Sequence, residues 1–499
     1  MRVKDLLLSP LPAFLLVSLL LFAWHEPWRD EAQPWLVARD APNLFHELDS
    51  ETHPGLWYVL AFPLAKAGLP FDSLRALNLV ISLGALALLA LRGPFSRAEA
   101  WLYAFGYFVV YEYGTLARNY ALVVLLLYLV AVTWRSRFEK PWAHGALLLL
   151  LANAHALATL LTLVLGAAYA IEWALREKSR GAKPLVAPAL AALGAPLVLA
   201  QLWPAPDLAA WRTGATTSFD LGSLRWTCAA LIQALLPVPS ARGWSWGATW
   251  LDSALPPALI ILVGAALWGL ATWSFARRPR ALLLWIGGSL ALLAAFHLKS
   301  TTASQARHHG LLFVWLVFCV WTARLDAPRP APPTPRSRRA KAGVVALAVL
   351  LSLHVANALP AAYHDAKEDF SGGPATARFL VAHGYADDRT LIAVYPSFIA
   401  APILAQMPPT KTQTWFLQVR EYGSYTRFTT ADAESFDDDM GAMLRDLDAE
   451  AARTQPAHLL VILSHEEPTR SDLRLLDWHS GLAPGDWMYV YERDVPPPR

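Results

Sequence analysis

Long apolar stretches recur from the N-terminus to about residue 359, and they limit how this chain can fold more than any other feature. Hydrocarbon offers the backbone no hydrogen-bond partners, so stretches of this kind cross a membrane as α-helices. Of the 499 residues, 55% are hydrophobic and only 16% are charged, whereas a soluble protein of this size carries more charge. The pattern predicts an α-helical polytopic membrane protein of about eleven spans. These spans lie near 8–24, 74–91, 98–113, 120–134, 142–155, 157–175, 184–202, 254–276, 281–298, 310–323 and 342–359.

The placement of basic residues predicts which side of the membrane each loop faces. If the N-terminus lies in the cytoplasm and the spans alternate, every short inner loop contains Arg or Lys, as the positive-inside rule requires. The segment 326–341, rich in Pro and Arg, then becomes a cytoplasmic linker. An odd number of spans places the C-terminal segment outside. We therefore expect a multi-pass protein of the bacterial inner membrane with an extracytoplasmic C-terminal domain.

The chain divides near residue 360 into a membrane core and a domain of soluble composition. The core, 1–359, has two large outer loops at 25–73 and 204–252. The first loop contains WYVLAFPLAKAGLP, which suits a helix lying in the outer interface. In 360–499, strands are predicted for LIAVYP, HLLVILS and WMYVYER, and helices for GPATARFLVAHG, AESFDDDMGAMLRDLDAEAAR and SDLRLLDWHSG. Their alternation predicts a small α/β domain.

An acidic pair, Asp30 and Glu31, follows the first predicted span in WRDEAQPW. A carboxylate at this position would accept a proton from an incoming hydroxyl group or bind a divalent cation such as Mg²⁺ or Mn²⁺. A solvated acid pair beside the membrane would have the same spacing. The spacing alone therefore leaves a catalytic pair, a metal site and a solvated pair open.

Basic, histidine and tyrosine side chains gather at the same predicted depth, at the outer ends of other spans. An Arg followed by two His at the start of the tenth span, in SQARHHGLLF, favours an anion, because the helix dipole helps to bind negative charge there. Contact with lipid headgroups, or a structural role at the interface, is the competing interpretation. The candidate phosphate-binding residues are His53, Arg118, Tyr120, His155, Arg307, His308 and His309.

Three segments of the chain resemble the GT-C superfamily of membrane glycosyltransferases, which includes the protein O-mannosyltransferases and the lipid A aminoarabinose transferases. The matching segments are WRDEAQPW, ETHPGLWYVLAFPLAKAGLPFDSLRALN and YEYGTLARNYAL. The resemblance implies a GT-C-like bundle with interfacial helices, in which Asp30 is the catalytic base or a carboxylate that orients the acceptor, with Glu31 beside it. It places His53 near the phosphate of the lipid carrier. Arg118 lies where several relatives have an acid, which puts a bound metal in doubt.

The resemblance implies a glycosyltransferase that takes sugar from a polyprenyl-phosphate donor at the outer face of the membrane. The acceptor, whether glycan, lipid or protein, is left open, and membrane lipids but no nucleic acid are expected as partners. Two other classes stay open. A lipid or saccharide transporter or flippase would have polar or broken spans at the midplane. A membrane-anchored envelope assembly protein would use its outer domain as the working part.

Overall fold

The computed structural model of the chain describes residues 6–51, 53–176, 181–203, 220–239, 246–247, 249–298, 305–326, 338–408, 411–428, 439–468 and 470–497. These residues form a mostly helical bundle followed by a mixed β-sheet. Most of the predicted linker at 326–341 and much of the predicted loop at 204–252 lie outside the described residues.

The helices before residue 366 build the bundle. In chain order they are α1 (Leu11–Trp24), α2 (Arg29–Asp40), α3 (Leu44–Glu47), α4 (Leu56–Lys66), α5 (Asp72–Arg92), α6 (Arg97–Ala104), α7 (Tyr120–Thr133), α8 (Pro141–Ala152), α9 (Ala156–Ala174), α10 (Val186–Leu202), α11 (Leu221–Leu235), α12 (Trp250–Ala254), α13 (Pro257–Phe275), α14 (Pro279–Leu298), α15 (Ala306–Leu325) and α16 (Arg338–Asp365). A short π-helical segment, Tyr107–Glu112, follows α6.

Seven of the described helices are long and apolar enough to cross a membrane, namely α5, α9, α10, α13, α14, α15 and α16. The chain therefore has the helices of a multi-pass membrane protein. An eighth candidate combines α1 with α2, although the two helices meet at an angle of 85°. This bend turns α2 away from the axis of α1, and α2 begins with three polar residues, Arg29, Asp30 and Glu31. The count of about eleven spans and the orientation stay predictions.

One helix that packs into the bundle was not predicted from the sequence. Helix α11 lies within the segment expected to be the second outer loop; its C-terminal half is buried, and the helix packs against α13 and α15. Its first half contains Arg225 and Thr227, so it has no uninterrupted apolar run that would mark it. The same packing brings Gln233 of α11 beside His309 of α15.

The C-terminal part is an α/β domain, as predicted, built on a six-stranded sheet in the order β3-β2-β1-β4-β6-β5. The strands are β1 (Thr390–Tyr395), β2 (Thr414–Phe416), β3 (Glu421–Gly423), β4 (His458–Leu463), β5 (Arg474–His479) and β6 (Met488–Arg493). Strand β1 runs parallel to β2 and β4, and the remaining pairs are antiparallel. The helices are α17 (Gly372–Ala382), α18 (Ala400–Leu404) and α19 (Met440–Thr454).

The helices and strands predicted for this domain were right with one exception. Strands β1, β4 and β6 and helices α17 and α19 lie where the pattern placed them, although residues 431–438 ahead of α19 are outside the described part. The helix predicted for SDLRLLDWHSG was wrong, because Arg474–His479 forms edge strand β5. Apolar residues in that segment are spaced for either structure, and pairing with β6 decided in favour of a strand.

The C-terminal domain rests directly on α2 and on the bend before it. Asp365, at the end of α16, contacts His25 at 3.0 Å, and the backbone N–H of Phe370 donates to Glu26. Gln33 exchanges two hydrogen bonds with the backbone of Thr426. Helix α18 also packs against α2. These contacts tie the sheet domain to the helix that holds the first-loop carboxylates.

Candidate functional site

The structure brings Asp30, Arg118 and Arg307 together, although they lie far apart in the chain. Asp30 is in the first turn of α2, Arg118 is in the turn before α7, and Arg307 is in the first turn of α15. Asp30 Oδ2 accepts from Arg118 Nη1 at 2.7 Å and from Arg307 Nη2 at 3.1 Å. A single carboxylate oxygen therefore faces two guanidinium groups.

Positive charge exceeds negative charge around Asp30. Arg29 Nε lies 3.8 Å from Asp30 Oδ1 but also pairs with Asp486 at 3.4 Å. The surplus therefore comes from Arg118 and Arg307, which have Asp30 between them. Burial would raise the pKa of Asp30, but Arg118 and Arg307 outweigh it and lower the pKa below its usual range. Asp30 is therefore an anion at neutral pH, and the cluster around it retains a surplus of cationic charge.

Histidine and tyrosine side chains extend the cluster on the Arg118 side. Arg118 Nη2 donates to His53 Nε2 at 3.1 Å, and the His53 ring lies 4.5 Å from the His155 ring. Tyr120 OH hydrogen-bonds His308 Nδ1 at 2.7 Å. The four side chains that the sequence predicted at this depth thus form one continuous patch with the arginines.

The hydrogen bonds fix the tautomers of two of these histidines. An arginine can only donate, so His53 Nε2 accepts and its proton lies on Nδ1. His155 Nδ1 accepts from the backbone N–H of Leu157 at 3.0 Å, so its proton lies on Nε2. Burial, with Arg118 next, lowers the pKa of His53 well below its usual value. Both rings are therefore neutral and each presents one N–H group.

Several buried N–H groups around Asp30 have no acceptor among the described residues. Three of them are on side chains that are almost fully buried, and two are on the part-buried His53 and Arg307; such buried N–H groups are costly to leave unpaired. They are His53 Nδ1, His155 Nε2, Trp28 Nε1, Trp57 Nε1 and Arg307 Nε. A ligand rich in hydrogen-bond acceptors would satisfy them. A pocket at this place is lined by Asp30, Pro34, His53, Trp57, Tyr58, Arg118 and Asn119.

Two predicted site residues face elsewhere. Glu31 is fully buried and accepts from His25 Nε2 at 2.8 Å and from the backbone N–H of Ala117 at 2.6 Å. His309 contacts Gln233 of α11 at 2.5 Å. Glu31 therefore holds α2 against the bend and the turn before α7, and His309 holds α15 against α11.

The carboxylates do not fit a divalent cation as they stand. Asp30 is bound by two guanidinium groups, and a metal ion there would be repelled by both. The oxygens of Glu31 already accept from His25 and from Ala117. Among the described residues, no group of three or more His, Cys, Asp or Glu side chains is arranged to hold a metal ion. We therefore derive no step that uses a metal.

The sequence pattern missed an acidic residue and two aromatic residues beside the arginines. The Arg307 guanidinium lies 5.0 Å from the Trp28 ring centroid and 5.3 Å from that of Trp246. Trp246 Nε1 in turn donates to Glu112 Oε2 at 3.0 Å. Glu112 ends the π-helical segment in the third predicted span, and a carboxylate inside an apolar stretch is the signal that would have found it.

No protein-family model, curated protein or solved structure matches this chain. Fold likeness therefore contributes nothing to the choice of function, which depends on the chemistry of the site.

Proposed function

We propose that the protein is a membrane glycosyltransferase of the GT-C type. It would transfer a sugar from a polyprenyl-phosphate donor to a glycan, lipid or protein acceptor at the outer face of the inner membrane. The observation that supports this most is the surplus of buried N–H groups around Asp30, whose carboxylate pairs with both Arg118 and Arg307. A phosphate group supplies both the negative charge and the acceptor oxygens that such a surplus requires.

The position of the surplus favours a lipid-linked phosphate over a soluble one. Tyr113 donates from its OH to the backbone carbonyl of Arg307 at 2.7 Å and stacks on Tyr120 with ring centroids 5.0 Å apart. Tyr113 also lines a mostly apolar pocket between α5, α6 and α7, together with Leu86 and Val124. An anion site and an apolar pocket thus share a wall, which suits a ligand with a charged head and a hydrocarbon tail.

The lowered pKa of Asp30 makes this carboxylate a weak base while both arginines hold it. An arriving phosphate would compete for Arg118 and Arg307, and loss of these contacts would return the pKa of Asp30 towards its usual range. Binding of the sugar donor would thus activate the base. This order of events limits proton abstraction to the complex in which the sugar donor is bound.

The transfer step then balances without a further reactant. The acceptor hydroxyl oxygen forms a bond to the anomeric carbon, and the bond between that carbon and the phosphate oxygen breaks. The bonding electron pair leaves on polyprenyl phosphate, where Arg118 and Arg307 stabilise the new charge. Asp30 takes the proton of the acceptor hydroxyl.

The test is sugar release from a panel of undecaprenyl-phosphate sugars by the purified protein, with a matching panel of acceptors. Asp30→Asn is expected to abolish transfer while the protein stays folded and inserted. Arg453→Ala, on the surface of the C-terminal domain, is the control and is expected to keep full activity. Movement of labelled lipid across the bilayer of liposomes, without any sugar transfer, would instead favour a transporter.

A further inference from the structure

We propose that Glu112 binds hydroxyl groups of the sugar carried by the lipid donor and so determines which sugar is accepted. The inference rests on the proposed function and extends it from the phosphate to the sugar. Glu112 is 2% exposed, and no role has been given to it in the transfer step.

Glu112 lies next to the anion site but is separated from it by an indole ring. The Arg307 guanidinium lies near both Trp28 and Trp246, and it contacts Asp30 through Nη2. The indole N–H of Trp246 donates to Glu112. The site therefore changes from cationic to acidic across a single aromatic ring.

This change in charge divides the sugar donor into two parts. A phosphate would be attracted by Arg118 and Arg307 rather than by Glu112. Sugar hydroxyls are hydrogen-bond donors, and the oxygens of a carboxyl group accept such bonds. The phosphate would thus bind at the arginines and the sugar beside Glu112.

The hydrogen bonds of Glu112 hold its carboxylate in one position. Tyr107 OH donates to Oε2 at 2.7 Å, and Trp246 Nε1 donates to the same atom at 3.0 Å. Both contacts use one oxygen, so Oε1 is the atom we assign to the sugar. A carboxylate fixed in this way discriminates between hydroxyl positions better than a mobile one.

Trp246, which binds Glu112, packs against two further aromatic rings, and this group offers the apolar surface that the C–H face of a sugar needs. Trp28 and Trp246 meet edge to face with centroids 4.7 Å apart, and Phe370 lies 5.2 Å from Trp246. Phe370 belongs to the segment that leads into the C-terminal domain. Apolar rings with a few fixed polar groups are the usual composition of a small-molecule site.

The experiment measures binding of two probes to the purified full-length protein. One probe is undecaprenyl phosphate, and the other is the sugar-loaded form, from a panel of glucose, mannose, N-acetylglucosamine and 4-aminoarabinose, that the unmodified protein binds most tightly. Glu112→Gln is expected to weaken the affinity for the sugar-loaded probe roughly tenfold and to leave the affinity for undecaprenyl phosphate unchanged. Equal weakening of both probes, or of neither, would overturn the role of Glu112.

Controls separate this inference from the proposed function. If the unmodified protein binds neither probe, the glycosyltransferase proposal fails, and the Glu112 inference fails because it rests on that proposal. If it binds all probes equally tightly, the phosphate site stands and the sugar role of Glu112 is wrong. Should Glu112→Gln not fold, Tyr107→Phe removes one hydrogen bond that fixes the carboxylate. That variant is expected to weaken only the sugar-loaded probe, by a smaller factor.

Discussion

The end of the helical bundle that holds Asp30 and the C-terminal domain both contain arginine clusters, but they pair charge in opposite ways. In the C-terminal domain, Arg493 is held by Asp448 at 2.7 Å and by Asp472 at 2.6 Å, so one guanidinium has two carboxylates. In the bundle, two guanidiniums share one oxygen of Asp30. Arg470 also pairs with Asp472, so the first cluster is neutralised by the protein itself. In the second cluster, by contrast, Arg118 and Arg307 have one carboxylate between them.

The comparison distinguishes a structural ion pair from a ligand site. A cluster that is complete within the protein gains nothing from a ligand, and partly exposed pairs of that kind contribute little to stability. A buried cluster with surplus cations costs free energy, and an anionic ligand recovers it on binding. The unmatched arginines therefore indicate where the ligand binds.

The largest expected effect comes from removing the unmatched charges. Arg118→Ala combined with Arg307→Ala is expected to lower the rate of sugar transfer about 1000-fold, because the charge that develops on the leaving phosphate loses its stabilisation. The comparable change in the C-terminal domain, Arg493→Ala, is expected to leave the rate per folded molecule unaltered. Equal losses of transfer in both variants would break the comparison.

The histidine that joins the two regions is expected to matter for stability rather than for chemistry. His25 lies between Glu31 and Asp365, and although burial opposes it, these carboxylates raise the pKa of His25 to about 10. His25→Ala leaves both acids buried without their shared cationic partner and is expected to lower the free energy of unfolding by about 3 kcal/mol.

Thermal unfolding in detergent measures this loss. His465→Ala is the control, because His465 pairs with Glu467 at the surface and its removal is expected to leave the unfolding midpoint in place. An unchanged midpoint for His25→Ala would show that the buried triad does not join the regions.

A pH effect is expected where the C-terminal domain meets α2. Burial raises the pKa of Asp486 to about 6 despite the nearby Arg29. The folded state then keeps a proton that the unfolded state has lost, so the contribution of Asp486 to stability is greatest at low pH. It is expected to fall by about 2 kcal/mol as the pH rises from 4 to 7.

Asp486→Asn keeps a neutral side chain at every pH and should remove this part of the pH dependence. The measurement compares unfolding midpoints of the two proteins from pH 4 to pH 7. Parallel curves would mean that Asp486 has an ordinary pKa.

The smallest expected effect concerns a single unpaired N–H group. Trp57→Phe keeps an aromatic ring in the pocket but removes the buried Nε1–H, and affinity for undecaprenyl phosphate is expected to fall about fivefold. Trp478→Phe is the matched control, since Trp478 lies 53% exposed on β5. A fivefold loss in the control would point to contact between the lipid and the sheet domain.

The helices of the bundle were easier to predict from the sequence than the roles of the side chains at the candidate site. Hydropathy predicted the long helices because unpaired backbone groups are costly in hydrocarbon. A segment that crosses the membrane is therefore a helix, and it appears in the sequence as a long apolar run. Hydropathy did not find α11, which contains Arg225, Thr227 and Gln233 and resembles a loop segment. The contact of Asp30 with Arg118 and Arg307, which are distant in sequence, agrees with the common membrane depth predicted for them.

The different roles of Asp30 and Glu31 could not be read from the sequence. Consecutive residues of a helix point about 100° apart, so one of two adjacent acids faces the pocket and the other faces the protein. Spacing does not reveal which, because that depends on how the bend after Trp24 rotates α2. The structure resolves it through the contacts that Glu31 makes with His25 and Ala117.

Titration of purified protein with undecaprenyl phosphate tests the central claim most directly, because it needs neither the sugar nor the acceptor. We expect saturable binding by the unmodified protein and a loss of at least about 100-fold in affinity when Arg118 and Arg307 are both replaced by Ala. Binding of equal strength to the two proteins would mean that the unmatched arginines do not hold a phosphate.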